Sequence, residues 1–213
     1  MNMKRITLFF TTLMMSLSLS VSAYAAPQFE EGVHYKVISK TASSKPVVTE
    51  YFSFFCAHCY RFEGAVKLLK EGLPAGATFE KRHVESMPLA PQETLHTLSR
   101  ALAVIKKMKL GNDVTEAIFK HIHVDKKRFS DEDEIRDLFI AKGVDGKKFD
   151  SAMKNFSVKA SANRMKKGWL ALPTEVQNKG VPSLIVNHKY WVNAVELKSQ
   201  ADYTAILKFL LAK

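Results

Sequence analysis

The chain has 213 residues, 46% hydrophobic and 25% charged. That is the composition of a globular protein with a core of normal size, and it excludes disordered, collagen-like and multi-span membrane classes. A net charge of +11 leaves nucleic acid, anionic headgroups and acidic proteins open as partners, because long-range attraction grows with charge but does not choose among them.

The first 25 residues have the pattern of a cleaved secretory signal: Lys4 and Arg5, an apolar stretch from Leu8 to Leu19, then Ala23-Tyr24-Ala25. Thr11, Thr12, Ser16, Ser18 and Ser20 interrupt the stretch, which is short for a membrane span. Cleavage after Ala25 leaves 30 basic and 21 acidic residues, or +9. It also places the chain where disulfides form and persist.

His34 to Ile38 is expected as a first strand, and Val47 to Phe55, a nearly unbroken β-branched and aromatic run, as a central strand covered on both faces. Cys59, Phe62, Val66 and Leu69 recur at helical spacing up to Gly72 and Pro74, and Phe79 to Val84 reads as the next strand. From Pro88 and Pro91 to about Trp169 the period is helical. Leu95, Leu98, Leu102 and Ile105 form one stripe; Ser130 is the expected cap of a helix carrying Ile135, Leu138 and Phe139; Val158, Ala162, Met165 and Trp169 belong to a helix closed by Pro173. Residues 87–168 carry 17 basic and 11 acidic residues, without a cluster dense enough for a nucleic-acid stripe. After Gly180-Val181-Pro182, Ser183 to Asn187 and Lys189 to Val192 read as a hairpin, and Ser199 caps a last helix. The expected class is α/β, with a signal peptide over 1–25, a sheet domain in two parts, 26–86 and 169–213, and a helical insertion over 87–168.

The only two cysteines, Cys56 and Cys59, follow the second strand. A structural zinc site needs four ligands, and His121 and His123 are too close together to complete one. A c-type haem site needs His directly after the second Cys, where Tyr60 stands. As a staple a four-residue loop contributes only about 2 kcal/mol in the chain-entropy model. A redox dithiol, by contrast, benefits from closeness, because a mixed disulfide on the first sulfur is attacked at once by the second. No metal or other cofactor is called for.

A sulfur at a helix N-terminus meets unpaired N–H groups and the positive end of the dipole, so Cys56 is the expected nucleophile and the deeper Cys59 the resolving thiol. His58 can add charge or a hydrogen bond to the Cys56 thiolate. Glu50 interrupts a strand expected to be buried, so it must be paired or have a raised pKa; Lys81 is its candidate partner, and proton relay to Cys59 its candidate role. Val181-Pro182, opening a strand in the second half, is the candidate substrate-binding turn, cis and open to pairing with an extended peptide.

The stretch from Glu50 to Glu63, with Lys81-Arg82-His83-Val84 and Gly180-Val181-Pro182-Ser183, resembles the DsbA family of thioredoxin-fold thiol oxidases. The resemblance covers essentially the whole chain after the signal. It implies a thioredoxin-like fold with an inserted all-helical domain in an exported, periplasmic protein. Its activity would be to give the Cys56-Cys59 disulfide to unfolded or reduced exported proteins, and a DsbB-type membrane partner would reoxidise it. It implies further that Glu50 and Lys81 form a buried charged pair, that Val181 and Pro182 bind substrate, and that Met87 starts a groove-lining loop. Two positions depart from the pattern: Ala57 stands where proline is usual, and Met87-Pro88-Leu89 replaces a more glycine-rich stretch. The competing expectations are a reductase or isomerase and a non-enzymatic peptide holder. Isomerases of this fold usually carry a dimerisation segment, whereas here only about eight residues separate Ala25 from the first strand, so a monomer that binds no nucleic acid is expected.

Overall fold

The computed structural model describes residues 29–86 and 90–213. The expected signal peptide and Met87 lie outside the described residues. Five strands, β1 (Tyr35–Val37), β2 (Val47–Phe52), β3 (Thr78–His83), β4 (Ser183–Val186) and β5 (Tyr190–Val192), make one mixed sheet in the order β1-β5-β4-β2-β3. Only β2 and β3 are parallel; β4 runs antiparallel to β2 and β5 to β4. The β4–β5 hairpin turns through Asn187 and His188, both at positive φ.

The apolar run after Lys45 enters the sheet as the buried strand β2, between β4 and β3. It ends at Phe52, not at Phe55 as its composition suggests. Ser53 stops it: its carbonyl accepts from the Cys56 N–H at 3.1 Å and its hydroxyl from the Phe55 N–H at 3.3 Å, which closes a turn. The chain then enters α1 (Ala57–Glu71), which leads to β3.

Side chains along a strand alternate between faces, so β2 serves two layers. Val48 packs with Leu69 of α1 and with Ile206, Leu207 and Leu210 of the last helix, α8 (Gln200–Leu211). On the other face Tyr51 and Ile185 meet Trp169 and Val176. Ser199 caps α8 in a reciprocal capping box with Asp202.

Between β3 and the short helix α7 (Thr174–Lys179) lie α2 (Gln92–Met108), α3 (Asn112–His123), α4 (Glu132–Ala141), α5 (Gly146–Lys154) and α6 (Phe156–Leu170). Three of these were outlined by periodicity; α3 and α5 were not. The cap of α4 is Asp131, whose carboxylate accepts from the Glu134 N–H, in place of the expected Ser130. Asp131 offers a charged acceptor one residue later, where the first-turn N–H groups converge. Helix α6 does not break at Gly168: Met165 packs in the helical core and Trp169 on the sheet.

The helices have no core separate from the thiols. Phe52, Phe54, Cys56 and Cys59 belong to one apolar cluster with Leu98, Leu102, Ile118, Phe119, Phe139 and Phe149. The outer edge of β3 is covered by side chains: Lys106 donates to the Lys81 carbonyl at 2.5 Å and the His83 N–H reaches Met165 Sδ at 3.4 Å. These contacts occupy edge groups open to pairing with another chain.

Candidate active site

Cys56 is the N-cap of α1, in an extended conformation, and its sulfur accepts the Cys59 N–H at 3.1 Å. The same sulfur lies 3.4 Å from the Val181 carbonyl, to which its S–H donates when the thiol is protonated. Two elements thus converge on one atom: the start of α1 and the turn before β4, where the Val181–Pro182 peptide is cis. Cys56 is 7% exposed and Cys59 wholly buried, so one sulfur faces the surface and the other the core. Both are thiols in this structure.

Their acidities diverge. The Cys56 pKa falls from 9.0 to about 6: the Cys59 side chain donating to its sulfur is the largest influence, burial opposes it, and the N–H groups of Cys59 and His58 and the charge of Arg61 add to the lowering. Cys59 is pushed far above the ordinary thiol range, chiefly by burial and then by the Cys56 sulfur beside it, with the Glu50 charge a smaller influence. A reduced pair at neutral pH therefore holds its negative charge on Cys56, the sulfur nearer solvent.

The parallel register brings Glu50 opposite Lys81. Glu50 is fully buried and Lys81 nearly so, and Lys81 Nζ is 3.2 Å from Glu50 Oε2. The ammonium also donates to Glu63 of α1 and lies 4.3 Å from the centre of the Phe52 ring. Neither Glu50 oxygen has an aligned hydrogen-bond donor among the described residues. Burial raises the Glu50 pKa, Lys81 restrains the rise, and the result is about 7. Burial disfavours the charged form of Lys81, but Glu50 and Glu63 together outweigh it, so this lysine stays protonated at neutral pH. One cation is thus shared by two carboxylates, one of them able to titrate near neutrality.

The sequence-predicted residues are brought together unequally. Cys56, Cys59, Val181 and Pro182 surround the reactive sulfur, and Glu50 and Lys81 lie behind it. The His58 side chain points outward and is exposed; its backbone N–H, not its imidazole, is what lowers the Cys56 pKa. Ala57 is exposed at the first helical position, a site that also accepts proline because its N–H has no intrahelical partner.

Three contributors were not assigned from sequence. Glu63 is four residues after Cys59 on the same helix face, a spacing that could have revealed it. Arg61 sits in the motif itself. His83 is completely buried, its Nδ1 2.9 Å from Ser99 Oγ, and burial lowers its pKa to about 3, leaving a neutral ring packed on Phe54. Among the described residues no group of three or more His, Cys, Asp or Glu side chains is placed to hold a metal ion.

Comparison with known proteins matches residues 47–205 to the family model of DSBA-like thioredoxin domains. The chain belongs to this family. It is 36% identical over 180 residues to the thiol:disulfide interchange protein DsbA of Escherichia coli K12, covering 83% of this chain and 82% of that one. It is 31% identical over 205 residues to DsbA of Pectobacterium carotovorum, covering 92% and 94%. Among solved structures, Klebsiella pneumoniae DsbA superposes with a TM-score of 0.75 at 27% identity, covering 88% of this chain and all of that one. Proteus mirabilis DsbA, solved with a non-covalently bound peptide, gives a TM-score of 0.75 at 26% identity, covering 87% and 99%. With the family comes the fold, thioredoxin-like with added helices, and the enzyme class. The protein is a thiol:disulfide oxidoreductase.

Proposed function

We propose that the protein introduces disulfides into exported proteins through the Cys56–Cys59 bond, with Cys56 as the attacked sulfur. A thiolate of the reduced substrate attacks Cys56 Sγ; a substrate–Cys56 disulfide forms, and Cys59 leaves with the electron pair of the broken bond. A second substrate thiolate then attacks the substrate sulfur of that mixed disulfide, forming the substrate disulfide and releasing Cys56 as thiolate. Two electrons pass to the enzyme, and the two substrate protons go to Cys59 and to solvent.

The supporting observation is the divergence of the two thiols. A Cys56 held near pKa 6 is a good leaving group, and its stability as thiolate favours the reduced enzyme, which makes the disulfide oxidising. Cys59 departs as the more basic sulfur and takes up a proton, for which Glu50, at about 7 and close enough to influence Cys59, is the nearby donor. Lys81 and Glu63 hold that carboxylate in place. The Val181 carbonyl, already against the Cys56 sulfur, is the place for the backbone of an extended substrate, and Pro182 shapes its turn. Ala57 and His58 complete the first turn, and Met87 is assigned to substrate binding by the family resemblance alone.

The leader pattern of residues 1–25 and the periplasmic setting of the family support export to the periplasm after cleavage. Among the described residues no helix is long and apolar enough to cross a membrane. A DsbB-type membrane protein is the proposed reoxidant, and the working form is a monomer. Incubating the oxidised enzyme with a reduced two-cysteine peptide tests the reaction. We expect rapid peptide oxidation, its loss in Cys56→Ser, and, when Cys59→Ser is given glutathione disulfide, accumulation of a Cys56–glutathione mixed disulfide with release of one glutathione thiol. Undiminished oxidation by Cys56→Ser would overturn the assignment, and faster correction of scrambled bridges than formation of new ones would make the protein an isomerase.

A further inference from the structure

The turn carrying Cys56 is held from the helical side as well as by its own strand. Two residues of α3 grip Phe54, two positions before the reactive cysteine. Phe119 packs on its ring, centroids 5.1 Å apart, and His123 Nε2 lies 2.8 Å from its backbone carbonyl. A carbonyl only accepts, so Nε2 carries the hydrogen. The imidazole is fixed in turn by stacking on Tyr60, the residue after Cys59, at 5.2 Å and 7° between planes.

We infer that His123 is a positioning residue for disulfide exchange: its hydrogen bond to the Phe54 carbonyl, aimed by the Tyr60 ring, sets where the Ser53–Cys56 turn presents the Cys56 sulfur. Within the turn, Cys56 N–H and Phe55 N–H bond to Ser53, and the Tyr60 N–H donates to the Cys56 carbonyl at 3.0 Å; these contacts fix its shape and its junction with α1 but not its placement against α3. His123 is the partner that ties the Phe54 carbonyl to a rigid element, helix α3. Because Tyr60 lies in the first turn of α1 and His123 bridges it to Phe54, the imidazole spans the two segments that meet at the Cys56 sulfur.

The consequence differs between redox states. In the disulfide form the covalent bond itself places Cys56 against α1. In the dithiol form the Cys56 sulfur is held by non-covalent contacts alone: the Cys59 side chain and its N–H, at 3.1 Å, donate to it, and the Val181 carbonyl at 3.4 Å accepts from it when it is protonated. Loss of the His123 bond therefore penalises the reduced enzyme more than the oxidised one, and the enzyme becomes a weaker oxidant. A residue important only for folding would burden both forms alike.

The inference rests on Cys56 being the thiolate-forming sulfur, and its test separates the two claims. Cys56 thiolate absorbance is titrated, and the equilibrium with a glutathione buffer measured, in the wild type, His123→Gln and His123→Phe. Gln keeps a donor without the imidazole, and Phe keeps a stacking ring without a donor. A neutral hydrogen bond changes an equilibrium by about three- to tenfold. We expect His123→Phe to raise the Cys56 midpoint and shift the glutathione equilibrium by about that factor toward the disulfide-free substrate, and His123→Gln to recover most of the difference. Wild-type values in both redox measurements for His123→Phe, or a His123→Gln enzyme as impaired as His123→Phe, would overturn the role of the donor. A wild-type midpoint in the ordinary thiol range would instead overturn the assignment of Cys56. Should His123→Phe fail to fold, imidazole ¹⁵N shifts of the wild-type enzyme decide: hydrogen on Nε2 in the reduced protein supports the clamp, and hydrogen on Nδ1 alone contradicts it.

Discussion

Cys56 and Cys59 are three residues apart and share a core cluster, yet they are chemically unequal because one caps a helix and the other lies inside it. The cap's sulfur accepts first from the Cys59 side chain and then from N–H groups of the helix start; the buried sulfur chiefly loses hydration. Glu50 shows the complementary case, a carboxylate whose burial outweighs a lysine 3.2 Å away. Glu50→Gln removes the group that titrates near 7. We expect exchange steps that move a proton on Cys59 to slow by about tenfold or more and the inflection near pH 7 in their rate profile to vanish, seen by stopped-flow fluorescence. Because the folded pKa of Glu50 lies above its unfolded value of 4.5, its ionisation opposes folding: its contribution is intact below about 4.5 and is lost as pH rises through 7. Glu50→Gln should therefore gain in urea midpoint relative to wild type as pH increases across that window. An unchanged difference would mean that Lys81 compensates the charge fully.

At the scale of elements, the site is the product of register. The β2–β3 pairing that places Glu50 opposite Lys81 follows from two runs of strand-forming residues joined by α1, so the charged pair was legible once both strands were read. The strand runs, the hairpin, the start of α1 and the cap of α8 were equally legible, because each has a strong local signal: β-branched runs, a turn dipeptide, apolar spacing, a Ser followed by Asp. What escaped were features made by contact between distant segments. Spacing puts Glu63 on the Cys59 face of α1, but its partner Lys81 emerges only when α1 is laid against β3, and His123 emerges only when α3 lies on the Ser53–Cys56 turn; as sequence, His121 and His123 suggested nothing beyond an incomplete metal pair. Helix α5 is hard to read because its apolar positions are few and charged residues crowd between them, whereas Val114, Ile118, Phe119 and Ile122 give α3 an apolar stripe that its spacing could have revealed. The α4 cap is a closer case, since Ser130 and Asp131 are both good caps and only the path of the chain selects one. Asp131→Ala should lower stability by about 1 kcal/mol, and Ser130→Ala by a few tenths at most, measured by urea denaturation. Equal losses would indicate that the two residues share the cap.

For the whole molecule, the helices and the sheet share one core through Phe52, Phe54, Cys56 and Cys59, so the redox state of two sulfurs bears on the stability of both parts. Fold class was readable from the alternation of strand and helix, and the DsbA-like resemblance of the motifs agrees with the match over residues 47–205. The depressed Cys56 pKa stabilises the folded dithiol form relative to its unfolded chain. That contribution is fully present above the ordinary thiol value of 9.0, declines as pH falls, and is gone below about 6. The oxidised protein lacks it. The difference in unfolding free energy between reduced and oxidised enzyme should thus move in favour of the reduced form from pH 6 to pH 9, and the rise in the reduced form's own stability should disappear when Cys56 is replaced by Ser; parallel profiles for the two redox states would contradict it.

Cys56 is an acidic thiol and Cys59 is not, a difference that titration of thiolate absorbance in the reduced enzyme decides. One thiolate with a midpoint near 6 is expected, absent in Cys56→Ser and retained in Cys59→Ala at a higher pH, since the side chain at 59 no longer donates to it. Two thiols titrating together in the ordinary range would contradict it.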